Sequence, residues 1–288
     1  MRILVTGSSG RVGRNLVQDG LAQRHQVVAY DEAPPKEKLA MVKYLQGSIL
    51  DRQDLSVAME GAEAVIHLAG IPYDIPPLHH TFNVNVQGTY NALELAVEHG
   101  AKHFLHMSSI MAYGFGRNAA PRYLPVDEEH PALSVDTYGM GKRLTETLCK
   151  SFTEKYGLRT LCFRLTHFTS FSRPYPDSFP YQQREGIEAL HQYIESRDFA
   201  ALMEASLAAL EIAHDVFLAT AADSGHLRPT PEVIQQQHAD AELRYSKLQD
   251  DSPFISMEKS QRLLGFVPRQ SWRGLKLDGE GRLIRDAG

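Results

Sequence analysis

Cysteine is almost missing from this chain: Cys149 and Cys162 are the two thiols among 288 residues. A disulfide scaffold is thereby excluded, and both read as small apolar residues of a core in a reducing compartment. Long hydrophobic runs are lacking as well, since no uninterrupted apolar stretch approaches the ~20 residues that span a bilayer. Positive charge is in deficit, with 30 Lys and Arg against 35 Asp and Glu for a formal net charge of −5. Such a chain carries no basic field for nucleic acid or an anionic membrane. No charged leader with an apolar segment precedes the first strand at Arg2, so a cytoplasmic protein is expected. Internal repeats and low-complexity linkers are absent too. The rest is ordinary: 43% hydrophobic and 23% charged residues supply a sizeable core for one large domain, or one domain with a smaller lobe.

Strands and helices alternate through the first 165 residues. Arg2–Thr6, Gln26–Tyr30, Ala64–Leu68, Phe104–Met107 and Leu158–Leu165 read as buried strands, with a further strand end after Met41–Leu45. Between them Asn15–Ala22, Asp51–Met59, Gly88–Glu98 and Thr137–Tyr156 carry helical spacing, with Asp51 as an N-cap and Gly100 as a stop. This rhythm predicts an α/β fold, a doubly wound parallel sheet covered on both faces. Residues 1–165 form the predicted nucleotide-binding part and residues 166–288 a small C-terminal substrate lobe. Thr166–Glu185 has no usable period and reads as loop and short elements. Phe199–Ala213 reads as a helix and Val216–Thr220 as a strand, a unit at about 199–220 that returns to the sheet. Met257–Leu264 is a short helix ending at Gly265, Trp272 packs the lobe closed, and Leu277–Gly288 is a loose polar tail.

The chemistry concentrates in a few motifs. Gly7, Gly10 and Gly13 follow the first strand and open a helix, with Ser9, Arg11 and Val12 between them. Gly7 permits the tight turn, Gly10 lets a pyrophosphate approach the backbone, and Gly13 allows close helix–strand packing. The helix N-terminus then favours the anion, so a dinucleotide is the predicted ligand. Asp31 ends the second strand, where a carboxylate accepts from adenosine ribose hydroxyls and repels a 2′-phosphate. That favours NAD over NADP, with Arg11 and Arg14 as the opposing candidates because either could reach a phosphate. Ser108-Ser109 follows the strand at Phe104–Met107. Tyr138 and Lys142 lie four residues apart on one helix face, so the ammonium can favour an ionised phenol. With a hydroxyl from Ser109, such a site removes a proton from an alcohol. Thirteen histidines raise the question of a metal. His79-His80, His103 and His106 lack an acid or thiolate partner at ligand spacing, so no metal site is expected.

These motifs together resemble an extended short-chain dehydrogenase/reductase of the NAD-dependent epimerase/dehydratase family. The family's TGxxGxxG is Thr6 through Gly13, and its cofactor-lining HLAA is His67-Leu68-Ala69-Gly70. Its NVxGT is Asn85 through Thr89, its SSxxxYG is Ser108 through Gly114, and its YxxxK is Tyr138 through Lys142. The likeness is good over residues 1–165 and faint over 186–270. It implies a Rossmann sheet, NAD as cofactor, and Tyr138 as the base on a substrate hydroxyl. It also implies that Lys142 lowers the phenol and binds the nicotinamide ribose, that Ser109 orients the alcohol, and that Asn85 holds the active-site backbone. Ser48, Ile49, Leu68, Ala69 and Gly70 become cofactor contacts, and Ile71, Ser109, Ile110 and Tyr138 face the substrate. The equivalent helices of the family form a four-helix dimer interface, so a homodimer is expected.

Two departures shape the substrate expectation. Gly47-Ser48-Ile49 stands where the family usually has Asp at the adenine, and a serine hydroxyl makes a weaker contact. Arg164-Leu165-Thr166-His167 stands where sugar-nucleotide members have RxxN, and no YGP follows. The lobe offers His167, Arg173, Arg184, Tyr175 and Tyr181 as substrate candidates, too few cations for a nucleoside diphosphate. A small sugar or sugar acid is therefore expected, with a brevity similar to uronate dehydrogenases. The alternatives are a nucleotide-sugar epimerase or dehydratase, and a non-catalytic NAD-binding sensor.

Overall fold

The computed structural model describes residues 1–172, 190 and 192–278. In chain order the strands are β1 (Arg2–Thr6), β2 (Gln26–Asp31), β3 (Lys43–Gln46), β4 (Ala64–His67), β5 (His103–Ser109), β6 (Tyr123–Leu124), β7 (Arg159–Leu165), β8 (His167–Thr169), β9 (Tyr193–Glu195), β10 (His214–Ala219) and β11 (Glu242–Leu243). The helices are α1 (Arg11–Asp19), α2 (Arg52–Met59), α3 (Leu78–Phe82), α4 (Gly88–Glu98), α5 (Thr137–Tyr156), α6 (Ser196–Ala208), α7 (Thr230–Gln237) and α8 (Glu258–Leu264). Seven strands form one parallel sheet in the order β10-β7-β5-β4-β1-β2-β3. The order reverses between β1 and β4, which opens a crevice at their carboxyl ends. Thr6 and His67 are partners there.

Alternation along β1 shows how the sheet is covered. Ile3 and Val5 face a cluster with Leu16 and Val17 of α1 and Phe199, Leu202 and Met203 of α6. Leu4 faces the opposite cluster, with Leu55 of α2, Leu93 and Ala96 of α4, and Phe152 of α5. Both faces are buried, so the strands read as continuous apolar runs. Cys149 and Cys162 sit in the second cluster as free thiols.

The local signals act as caps do elsewhere. Asp51 N-caps α2, its carboxylate accepting from the amides of Gln53 and Asp54. Asp136 caps α5 through the amide of Gly139, and Gly157 ends it in a left-handed conformation. α4 does not begin as an isolated helix. A π-turn at Asn83–Gln87 joins α3 to it, carrying on from the Pro76-Pro77 connection.

Beyond Leu165 the first short element is β8, which pairs in parallel with β9. Three-residue strands are too short to show a period of their own. The helix expected at Phe199–Ala213 runs from Ser196 to Ala208, because Glu195 caps it through the amide of Arg197. β10 joins the sheet beside β7. A further cluster joins Ile110, Phe115 and Leu124 to Val233 and Phe254, so residues on both sides of Leu165 share it. Trp272 is buried with Tyr193, its indole N–H donating to the Ser224 carbonyl at 2.9 Å. The tail from residue 279 lies outside the described residues. Among the described residues no helix is long and apolar enough to cross a membrane.

Candidate active site

The crevice begins with Gly7. Its φ is +70°, and a Cβ there would stand 2.5 Å from the Ala69 amide nitrogen, so the first turn presses directly on the strand end of β4. Gly13 faces the Gly7 carbonyl from inside α1, and Val12 packs against the sheet core. Gly10 caps α1 without a side-chain bond, and the first turn holds no acid. The helix end therefore keeps its positive polarity towards the crevice. Arg11 is exposed on that turn and Arg14 partly buried.

Asp31 closes the other side of the turn. Its Oδ2 accepts from the Ser9 amide at 2.9 Å and its Oδ1 from the Ala33 amide at 2.9 Å. The Ser9 hydroxyl donates to the Ala33 carbonyl at 2.8 Å. The carboxylate is thus fixed against the glycine turn, where ribose hydroxyls would find an acceptor. Ser48 lies nearby in chain space, its carbonyl accepting from the Tyr30 hydroxyl at 2.9 Å. Ile49 is buried under Gly88. Leu68 and Ala69 follow β4, with Ala69 partly covered and Gly70 exposed at the rim. An uncapped helix end, a close-packed glycine turn and an oriented carboxylate fit a dinucleotide.

Ser109 ends β5 and its hydroxyl accepts from the Met111 amide at 3.1 Å, capping a short turn over Ile110–Tyr113. Gly139 lets α5 approach this turn, since a Cβ on it would stand 2.4 Å from the Met111 carbonyl. That approach sets the Tyr138 phenol beside the Ser109 hydroxyl, which favours its ionised form. One turn later Lys142 is 7% exposed, with Nζ donating to the Met107 carbonyl at 2.7 Å and lying 5.6 Å from the Tyr138 ring centroid. Asn85, aimed by the π-turn, accepts from the Ile71 amide at 2.7 Å and donates to the Ile71 carbonyl at 2.9 Å. A Cβ on Gly70 would lie 3.0 Å from Asn85 Oδ1 and 3.8 Å from Lys142 Nζ. Ser109, Tyr138, Lys142, Asn85, Gly70 and Ile71 therefore share one pocket.

Burial dominates the electrostatics of the pair. Burial pushes the Tyr138 phenol up to about 12, opposed by the nearby Ser109 hydroxyl and assisted by the charges of Tyr73 and Asp136. Lys142 Nζ is directed at the Met107 carbonyl, on the side of the site away from solvent. Burial draws Lys142 itself down to about 8, with Glu146 pulling the other way. Beneath it lie two buried imidazoles held neutral: burial, then the Lys142 charge, brings His67 to about 3 and His106 well below its ordinary value. His67 shares hydrogen bonds with the hydroxyls of Thr6 at 2.8 Å and Thr89 at 3.1 Å. His106 shares one with Thr145 at 2.8 Å.

The substrate candidates fare unevenly. Ile110 is 3% exposed and packed with Tyr113, Phe115 and Leu124, so its side chain is taken up by that cluster. His167 opens β8, partly exposed, with its amide on the Gln192 carbonyl at 3.2 Å. Arg173, Tyr175, Tyr181 and Arg184 lie outside the described residues. Two arrangements escape sequence reading. Asp74 Oδ1 accepts from the Tyr138 amide at 2.7 Å, across a separation of 64 residues that no local pattern reveals. Glu146 accepts from Arg164 Nε at 3.0 Å and Nη2 at 2.9 Å, and from the Ser108 hydroxyl at 2.6 Å. Its position four residues after Lys142, on the same helix face, is the signal that could have found it.

Known proteins share these features. The uronate dehydrogenase of Agrobacterium fabrum is 26% identical over 205 residues, 71% of this chain and 71% of its own. The UDP-glucose 4-epimerase of Halalkalibacterium halodurans is 29% identical over 171 residues, 57% of this chain, and the match spans only 50% of the epimerase's own length. A short-chain dehydrogenase/reductase superfamily protein from Agrobacterium tumefaciens, solved with bound NAD, superposes with a TM-score of 0.75 at 24% identity, covering 94% of this chain and 93% of that one. This last likeness establishes the fold. Residues 3–195 match the NAD dependent epimerase/dehydratase family, so the chain belongs to that family, with NAD as its cofactor.

Proposed function

We propose that this chain is a dehydrogenase that removes a hydride from a secondary alcohol of a small sugar or sugar acid. The observation that carries the reading is the convergence of Ser109, at the end of β5, with Tyr138 and buried Lys142 on one face of α5, at the rim of the glycine crevice. Bound in that crevice, NAD supplies the hydride acceptor. Tyr138 takes the hydroxyl proton of the carbinol. In the cofactor-free chain its phenol holds that proton at neutral pH, so every group that favours the phenolate matters. The Ser109 hydroxyl is one such group, and it steers the alcohol oxygen towards Tyr138. Lys142 contributes the only positive charge on the same helix face within a turn, and the neutral imidazoles of His67 and His106 add no competing charge beneath it. Asn85 keeps the Ile71 backbone clear of the space between the hydroxyls and Gly70.

Asp31 supports NAD over NADP, because a fixed carboxylate repels a 2′-phosphate. The small substrate is supported by the Arg164–His167 segment, which lacks the nucleotide-sugar pattern. It is supported too by the match to uronate dehydrogenases, which extends further along both chains than the match to the epimerases. An epimerase shares the first half-reaction and differs by returning the hydride. Absorbance of NADH, followed with free hexoses, hexuronates and UDP-hexoses, tests the assignment. Stoichiometric NADH from a free sugar or sugar acid is the expected result. Conversion of a UDP-hexose to its epimer without net NADH would overturn it.

A further inference from the structure

The connection from β4 to α3 holds a strained residue beside the catalytic tyrosine. Tyr73 has a φ of +65°, one of two non-glycine residues with positive φ among those described. A side chain rarely adopts this left-handed conformation, because Cβ crowds the backbone carbonyl. It persists where the surroundings over-determine it, and such places cluster at ligand sites.

The surroundings here do so from both sides. Upstream, the Asn85 side chain grips the amide and carbonyl of Ile71 at 2.7 and 2.9 Å. Downstream, Asp74 Oδ1 accepts from the Tyr138 amide at 2.7 Å. Arg117 reinforces that link, standing 3.9 Å from Asp74 and 3.6 Å from Asp136, the cap of α5. The Thr81 hydroxyl donates to the Ile75 carbonyl at 3.0 Å and fixes the exit of the loop. Tyr73 therefore hangs between a residue pinned by Asn85 and a residue pinned to the backbone of Tyr138. Its ring centroid lies 6.1 Å from that of Tyr138, tilted by 37°, and the residue is 53% exposed. A large aromatic held in strain and left open to solvent beside the reacting hydroxyl is not explained by packing.

The geometry points to Tyr73 as the aromatic wall of the substrate pocket, stacking on the C–H face of a sugar ring whose hydroxyl meets Tyr138. The face of an aromatic ring is negative, and the axial C–H bonds of a pyranose present a weakly positive, apolar surface of matching size. Asp74 is the positioning residue, holding the wall in register with the catalytic helix. This inference rests on the sugar substrate proposed above.

The test titrates free hexoses, hexuronates and UDP-glucose against the chain in the presence of NAD and takes the tightest sugar as probe. Tyr73→Ala is expected to weaken the probe about 2- to 12-fold, the range of an aromatic contact, while NAD affinity is unchanged. Tyr73→Phe keeps the ring and restores probe affinity to within about twofold of the unmutated chain by the same reasoning. Tyr73→Gly weakens the probe as alanine does yet keeps or raises the melting temperature, because the left-handed strain is relieved. A residue that served stability alone would move both quantities downwards. Undiminished probe affinity in Tyr73→Ala, or an equal loss of NAD affinity, would overturn the inference. If UDP-glucose is the tightest sugar, the small-substrate reading falls, and Tyr73 is judged on UDP-glucose by the same ratios. No sugar bound by the unmutated chain overturns both.

Discussion

Lys142→Met should make the protein inactive and more stable at neutral pH. The lysine is buried, and desolvation draws it from 10.5 down to about 8, with Glu146 recovering part of the loss. At ~1.4 kcal/mol per tenfold change in an acid constant, its charged form costs the fold about 3 kcal/mol. Methionine removes that cost but leaves the Met107 carbonyl without its donor, a loss of about 1–3 kcal/mol. The net gain at neutral pH is therefore about 0–2 kcal/mol, with the range set by those opposing contributions. A cleaner quantity is the pH dependence of the difference between the two proteins. Because the folded-state value lies below the unfolded one, the unfolded chain binds this proton more tightly between about 8 and 10.5. Stability of the unmutated protein consequently rises with pH across that window, relative to the methionine variant. Urea unfolding of both cofactor-free proteins, from neutral pH to above 10.5, should show the variant's advantage shrinking by about 3 kcal/mol. The carbonyl cost cancels in this comparison. An advantage that stays flat with pH would refute the reasoning, because no desolvated ammonium would then be present.

Tyr138→Phe should leave NAD binding intact while turnover falls about 10²–10⁴-fold, measured by NADH absorbance and calorimetry on the same preparation. Undiminished turnover would remove Tyr138 from the mechanism. Asp31→Ala should weaken NAD and strengthen NADP, narrowing the gap between them in calorimetric titration; equal affinity in the unmutated protein would sink the role given to Asp31. α4 and α5 keep Tyr90, Leu144 and Tyr156 exposed at 37%, 42% and 49%, and a homodimer through these helices is expected. Light scattering that gives a monomer mass at micromolar concentration would count against it.

The elements that sequence reading captures best are those with their own local punctuation. α5 spans Thr137–Tyr156 as expected because its periodicity is bracketed by Asp136 and Gly157, and α2 is announced by Asp51. The glycine turn is equally plain, since Gly7, Gly10 and Gly13 act through backbone within eight residues of one another. What escapes is whatever depends on distant partners. β8 and β9 are three residues each and exist because they pair. α3 and the π-turn have no apolar period to advertise them, and their purpose, aiming Asn85 at Ile71, is visible only in three dimensions. The electrostatics of the site escape for a related reason. Spacing puts Lys142 and Tyr138 on one face, but burial decides their protonation, and burial raises one and lowers the other.

The placement of β10 has a consequence for how the chain must assemble. β10 covers the outer edge of β7, and α6, which precedes it, lies against α1. His25 and Glu204 meet at 3.0 Å across that contact, 179 residues apart. Residues 1–165, made alone, would expose β7 as an apolar edge strand with open hydrogen-bonding groups. Such an edge is a template for intermolecular pairing. Closure therefore waits until residues beyond 200 are available, and the long loops that it bridges slow the search for the native pairing. On a ribosome, a nascent chain of this protein is exposed to aggregation until β10 arrives.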